Sequence, residues 1–154
     1  MDNEEDQKKA EKIALRMLTF RSRSKQEIRN KLTEKGISAS VTEKVLDRLT
    51  GYGYLNDQSF AQQLAVRLLE NKEWGFARIG DTLRVRGVAP ELVNHIVSQL
   101  RKDYSEEETA LRILKRRFSH INFHEASQKE KNRIILFFKQ RGFSWETIAR
   151  VLML

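Results

Sequence analysis

The chain has 154 residues, no cysteine, one proline and a formal net charge of +8 at pH 7. The lack of cysteine excludes disulfides, a catalytic thiol and cysteine-ligated zinc, and 40% apolar residues are too many for a disordered chain. The acidic start is unlike a secretory signal, and the longest apolar run, residues 134–138, is too short to span a bilayer. We therefore expect a protein of the cytoplasm.

Helices account for the whole apolar pattern, because apolar residues recur at helical spacing and no segment alternates with period two. Capping boxes, in which a serine is followed three residues later by glutamate, mark helix starts at Ser24, Ser105 and Ser127. Glycine marks the ends of three helices, where the left-handed C′ position favours it. The predicted helices span residues 8–20, 25–35, 39–50, 58–71, 76–86, 90–102, 106–118, 128–141 and 145–153.

A short pattern occurs three times, at residues 14–18, 65–69 and 110–114. The first two copies are offset by 51 residues, and the helix-ending glycines at positions 36 and 87 have the same offset. Such periodicity is the signature of a tandem repeat. We predict an all-α fold of three tandem three-helix modules in an elongated, curved array. The predicted parts are a flexible acidic tail (1–9), modules at 10–53, 54–105 and 106–154, and an insertion at 119–127 in the last module.

Three motifs resemble those of the RecX family, the regulators of the bacterial recombinase RecA. Residues 53–61 read Gly-Tyr-Leu-Asn-Asp-Gln-Ser-Phe-Ala, similar to the family's glycine-tyrosine-leucine-x-aspartate-x-x-phenylalanine-alanine junction. Residues 24–36 and the Arg-Gly-Phe-Ser sequence at 141–144 match as well, and the resemblance covers roughly residues 10–154. Residues 73–79 depart from the family pattern, since they lack its basic-glycine-x-glycine-proline sequence before the arginine-isoleucine pair.

The resemblance implies a regulatory protein that is not an enzyme. The sequence holds no set of metal ligands and no glycine-rich phosphate loop, so we expect no cofactor or metal. Members of the family bind RecA, lie along the groove of its filament on single-stranded DNA, and mainly limit filament growth or promote disassembly. The implied partners are RecA, its filament, and single- and double-stranded DNA bound without sequence preference; we expect no membrane contact and a monomer. The residues leave open a stand-alone DNA-binding protein of helix-turn-helix-like modules, which a pI of about 9.9 favours.

Basic residues are concentrated at the two ends of the chain. Residues 10–53 carry ten Lys and Arg against five acids, residues 54–105 seven against six, and residues 109–154 ten against three. Two basic ends indicate an anionic partner. The candidate partner-binding or DNA-binding residues are the repeated Arg16, Arg67 and Arg112; the loop residues Arg21, Arg23, Lys25 and Arg29; the third-module residues Lys115, Arg116, Arg117, Lys129, Lys131 and Arg133; and Trp74 with Arg78.

Each of these candidates also has a structural interpretation. The stem of a repeated arginine can pack over the neighbouring helix, and a cation cluster can be a solvated face. Trp74 could stack on a base, whereas the other aromatic residues at loop edges, Tyr52, Tyr54 and Trp145, are predicted to be packing residues. The cations before the helix-ending glycines, Lys35, Arg86 and Arg141, are expected to complement the dipole of their own helix.

Overall fold

The computed structural model describes residues 4–154, and in this part the chain forms nine α-helices and no strand. The helices are α1 (Glu4–Phe20), α2 (Lys25–Glu34), α3 (Ala39–Gly51), α4 (Asp57–Lys72), α5 (Phe76–Val85), α6 (Pro90–Asp103), α7 (Glu106–Arg117), α8 (Gln128–Gln140) and α9 (Trp145–Leu152). A short 3-10 helix, Phe123–Glu125, lies in the predicted insertion. The predicted all-α fold is confirmed, and every end of α2 to α9 lies within one residue of its prediction.

The predicted capping serines do begin their helices. The Ser24 hydroxyl accepts a hydrogen bond from the backbone N–H of Glu27 at 3.1 Å, and the Glu27 carboxylate accepts one from the Ser24 N–H at 3.2 Å. Ser105 and Ser127 each accept from the third residue of their helix at 3.2 Å. These bonds satisfy N–H groups that have no partner within the first turn.

The first helix begins earlier than the sequence predicted. It starts at Glu4, four residues before the predicted start at residue 8. The flexibility of the tail stays a prediction, and its first three residues lie outside the described part of the chain. The first turn holds three acids, which complement the positive end of the helix dipole. Ala10 and Ala14, further along the helix, are fully buried and fix it to the first core.

Three hydrophobic cores form the interior, and each is built by three consecutive helices: α1–α3, α4–α6 and α7–α9. The division into modules stays a prediction. Its boundary between residues 53 and 54 does not follow the cores, because Leu55 is only 2% exposed and packs in the first core. The solvent-accessible surface of 9824 Å² is about a fifth larger than the roughly 8,100 Å² of a compact protein of this mass, as an elongated array requires.

The first two groups of helices meet where the turn after α5 packs on the N-terminus of α2; we call this contact the first joint. The Ser24 hydroxyl donates a hydrogen bond to the carbonyl oxygen of Arg86. The turn lies so close to α2 that a Cβ atom at Gly87 would overlap the side chain of Gln26. The joint therefore needs a residue without a side chain at position 87.

The second joint repeats this arrangement between the next two groups, with the turn after α8 packed on the N-terminus of α5. The N–H of Gly75 donates to the carbonyl oxygen of Arg141 at 2.7 Å. A Cβ atom at Gly75 would overlap the backbone of Gly142, and one at Gly142 would overlap Arg78. The second helices of the three groups thus follow one another end to end.

An acid at the start of the following helix completes each joint. Asp57 in α4 accepts a hydrogen bond from the backbone N–H of Lys25 at 2.9 Å. In the same way Glu106 in α7 accepts from the N–H of Phe76 at 3.0 Å. In both joints a carboxylate from one group therefore caps the second helix of the group before it.

Candidate functional site

Arginines from two groups of helices gather around one glutamate at the first joint. Glu27, in the first turn of α2, accepts a hydrogen bond from Arg21 at 2.7 Å and lies 3.3 Å from Nη1 of Arg86. Arg23 lies beside them, with its Nε donating to the carbonyl oxygen of Met17 at 3.4 Å. We call Arg21, Arg23, Arg86 and Glu27 the first-joint cluster.

The pKa shifts in the first-joint cluster follow from this crowding. Burial of Glu27 favours its neutral form, but the hydrogen bonds from Arg21 and from the Ser24 backbone, with the nearby positive charges, hold the pKa of its carboxyl below the usual range. Burial and then the charges of Arg21 and Arg86 lower the pKa of the Arg23 guanidinium. One carboxylate does not neutralise three guanidinium groups, so the cluster favours an added anion.

Glu27→Gln is expected to destabilise the protein by about 1–2 kcal/mol at pH 7, because it removes two charge-assisted contacts while glutamine can keep the capping box. Since the folded-state pKa of Glu27 is lowered, its contribution is complete above the unfolded pKa of about 4.3 and is lost as pH falls through the folded value. Urea unfolding between pH 7 and pH 3 measures the difference.

The difference in free energy of unfolding between wild type and Glu27→Gln should therefore disappear at low pH. Glu43→Gln is the control, because the Glu43 pair with Arg29 is exposed and lies within the first group of helices. Glu43→Gln should lower the free energy of unfolding by less than Glu27→Gln does, because an exposed ion pair contributes little. A difference for Glu27→Gln that stays constant down to pH 3 would show that the charge of this carboxylate does not stabilise the joint.

The second joint also carries a cluster of arginines, here around Glu73. This residue ends α4 in the left-handed conformation, with φ of 54°, and its side chain is only 16% exposed. Its carboxylate accepts a hydrogen bond from Arg116 at 2.5 Å and lies 3.9 Å from Nε of Arg112. Both arginines belong to α7, so these ion pairs cross the joint.

Two more arginines of the second joint donate hydrogen bonds to backbone carbonyl groups on the other side of the boundary between α4–α6 and α7–α9. Arg141 Nη1 donates to the carbonyl oxygen of Lys72 at 2.9 Å, and Arg78 Nη1 donates to that of Gln140 at 3.1 Å. The guanidinium of Arg78 also lies 3.8 Å from the centre of the Trp74 ring. We call Arg78, Arg112, Arg116, Arg141 and Glu73 the second-joint cluster.

These side chains surround a cleft of about 430 Å³. It is lined by Asn71, Lys72, Glu73, Trp74, Arg78, Arg116 and Arg141. Burial, followed by the charges of Arg117, Arg116 and Arg78, lowers the pKa of the Arg141 guanidinium against the opposing effect of Glu73. The cleft therefore holds more positive than negative charge and suits an anionic group such as a phosphate.

The structure divides the predicted partner-binding residues into three sets. Those in the joint clusters are Arg21, Arg23, Arg78, Arg112 and Arg116, with Trp74 beside them. Those with other contacts are Arg29 (paired with Glu43), Lys25 (donating its backbone N–H to Asp57), Arg117 (over Phe137 at 4.8 Å) and Lys131 (over Phe123 at 5.7 Å). Exposed residues without an ion pair in the described part of the chain are Arg16, Arg67, Lys115, Lys129 and Arg133.

Trp74 is less suited to stacking on a base than the sequence suggested. Its ring is half-buried against the second core, and the guanidinium of Arg78 covers it. A base could reach this face only by displacing Arg78. The predicted packing of three other aromatic residues is wrong: Tyr52 and Tyr54 are each 59% exposed and Trp145 is 54% exposed.

Sequence reasoning missed the role of Arg86 and Arg141. Both were expected to act on their own helix, yet each reaches across a joint to the group before it. The one available signal was their shared position directly before a helix-ending glycine. Elsewhere, no helix within residues 4–154 is long and apolar enough to cross a membrane.

Comparisons with known proteins agree with this architecture. The model of the first RecX three-helix domain matches residues 10–49, and that of the third matches residues 105–152. The "Regulatory protein RecX" of Trichlorobacter lovleyi is 30% identical over 138 residues, which cover 90% of each chain. That of Pelodictyon phaeoclathratiforme is 33% identical over 143 residues, covering 92% of this chain and 86% of the relative. The crystal structure of RecX from Lactobacillus salivarius has the same fold, with a TM-score of 0.81 at 19% identity over 97% of this chain and 96% of that one.

Proposed function

This chain belongs to the RecX family of regulatory, non-enzymatic proteins, and we propose from that premise that it binds RecA and its filament on single-stranded DNA. Binding would mainly inhibit the recombinase, by blocking filament growth or promoting disassembly. The protein would act in the cytoplasm as a monomer, without a cofactor.

The observation that carries this proposal is the pair of arginine clusters at the two joints. Each lies at a joint and includes the arginine before a helix-ending glycine, and each holds more guanidinium groups than carboxylates. A nucleoprotein filament presents phosphates and acidic side chains at regular intervals. Clusters at a fixed separation on one chain can contact several of them together, and weak contacts then add through their effective concentration.

An elongated array suits a filament groove better than a compact protein does. Contacts at both joints would hold the array against neighbouring recombinase subunits and along the DNA between them. A subunit covered in this way could neither accept the next subunit nor move freely against it. Inhibition would thus follow from occupancy of the groove, without a chemical step.

A stand-alone DNA-binding protein is the second candidate. The exposed cations without an ion pair among the described residues, such as Arg16, Arg67 and Lys115, favour it, because phosphate neutralisation alone supports non-specific binding. This candidate predicts the same DNA affinity with and without RecA. It also predicts no retention of RecA when DNA is absent.

Retention of RecA on the immobilised protein separates the two candidates. We expect RecA to be retained without DNA, and more strongly when it is assembled on single-stranded DNA. Strand exchange should fall as the protein is added, with a concentration for half-maximal inhibition below that needed to saturate the DNA. Binding to DNA with no retention of RecA and no loss of strand exchange would favour the stand-alone DNA-binding protein.

A further inference from the structure

Two exposed tyrosines stand side by side after the end of α3. Tyr52 and Tyr54 each expose 59% of their surface, and their ring centres lie 6.2 Å apart with an angle of 70° between the ring planes. Neither ring contributes to the first core. Two large aromatic rings that stabilise no core and face solvent together indicate a binding surface.

The backbone holds this pair in a fixed position. The N–H of Tyr52 donates to the carbonyl oxygen of Arg48 at 3.0 Å, and that of Tyr54 donates to Leu49 at 2.9 Å. Gly53 between them has φ of 82°, so the turn closes the helix in the left-handed conformation that favours glycine. The rings therefore start from a rigid helix end, and little ordering is needed when a ligand binds.

Tyr104 shows how a tyrosine behaves when it serves packing at the end of an equivalent helix. It follows α6, packs against the second core, and places its hydroxyl 3.5 Å from Glu70. Neither Tyr52 nor Tyr54 has such an environment. Their exposure is thus a property of this junction, not of every helix end in the array.

Cations lie next to the tyrosines. Lys44 and Arg48 are exposed residues of α3, eight and four positions before Tyr52, and therefore share its side of the helix. Arg48 Nη2 lies 3.5 Å from the Tyr52 hydroxyl, and the only acid paired with Arg48 in the described part of the chain is Glu11, at 3.7 Å. The surface thus combines two aromatic rings with positive charge.

We propose that Tyr52 and Tyr54 form a platform on which bases of single-stranded DNA stack, while Lys44 and Arg48 contact the adjacent phosphates. Aromatic faces flanked by cations are how proteins bind single strands without sequence preference. Lys44 favours a nucleic acid over a protein partner, because lysine is depleted at protein interfaces, whereas it contacts phosphates well. The inference deepens the proposed function, from which it takes the presence of single-stranded DNA.

The test compares an oligothymidylate with an abasic strand of the same length, which has the same phosphates and no bases. Fluorescence anisotropy at fixed salt gives the Kd of each strand for wild type, Tyr52→Ala/Tyr54→Ala and Tyr52→Phe/Tyr54→Phe. The alanine variant should bind oligothymidylate about 10-fold more weakly or worse, since stacking is lost. It should bind the abasic strand as wild type does, and the phenylalanine variant should keep wild-type affinity.

Three results would overturn the platform. Wild type could bind both strands equally; the alanine variant could keep full affinity for oligothymidylate; or it could lose only its retention of RecA, which would make the tyrosines a protein-docking surface. The first result needs no variant, so the inference is tested even if the alanine variant folds poorly. If wild type retains no RecA but distinguishes the two strands, the proposed function fails and the platform stands.

Discussion

Gly142→Ala is expected to destabilise the protein by about 3 kcal/mol or more, because the new methyl group meets a backbone that cannot move aside. Gly142 has φ of 91°, and a Cβ atom there would overlap the backbone of Arg78 across the second joint. Gly36→Ala is the matched control. Gly36 has φ of 80° with nothing within 4 Å of such a Cβ atom, so only the backbone strain of about 1–2 kcal/mol applies.

Urea unfolding followed by circular dichroism measures both variants against wild type. Gly75→Ala adds a second comparison, because Gly75 has an ordinary φ of −71° and owes its constraint to the close approach alone. It should be destabilised although no left-handed conformation is involved. Equal losses in Gly142→Ala and Gly36→Ala would mean that the second joint does not hold the two groups of helices together in solution.

Neutralising Glu73 and its two arginine partners from α7 is expected to weaken inhibition of RecA-driven strand exchange about 10-fold. The variant is Glu73→Gln/Arg112→Gln/Arg116→Gln, in which the acid is removed with its arginines so that no carboxylate stays unpaired at the joint. Losing two phosphate contacts should also lower the salt dependence of single-strand binding, by about 1.4 in the slope of log K against log salt.

The matched control is Asp81→Asn/Arg84→Gln/Lys102→Gln. It likewise removes two cations and one acid, but its residues are exposed, its ion pair lies within α5, and none belongs to either joint cluster. Inhibition by this control should change less than about twofold, since an exposed pair contributes little. Equal potency of the two variants would show that net charge, and not the joint, determines inhibition.

The helices could be predicted because their signals are local. A capping serine, an apolar stripe and a terminal glycine lie within about fifteen residues of one another, and each acts on the backbone next to it. The start of α1 was missed for a related reason. Its acidic residues were taken for a solvated tail, whereas in a first turn they stabilise the helix dipole.

The joints could not be predicted, because their contacts connect residues far apart in sequence. The bond from Gly75 to Arg141 and the ion pair of Glu27 with Arg86 depend on how one group of helices packs on the next. The repeat showed that such packing occurs, but not which faces meet. Exposure of Tyr52 and Tyr54 was misjudged for the same reason, since an aromatic residue at a junction can face either a neighbour or solvent.

The two joints give the molecule a direction. In both, the closing turn of a later helix sits on the beginning of an earlier one, so the array has two unlike ends. One end is the turn after α2, where nothing lies within 4 Å of a Cβ atom at Gly36. The other end is the exposed start of α8 at Ser127. A recombinase filament is itself directional. A protein with unlike ends that follows its groove is expected to lie in one sense only, with α2 always facing the same end of the polymer.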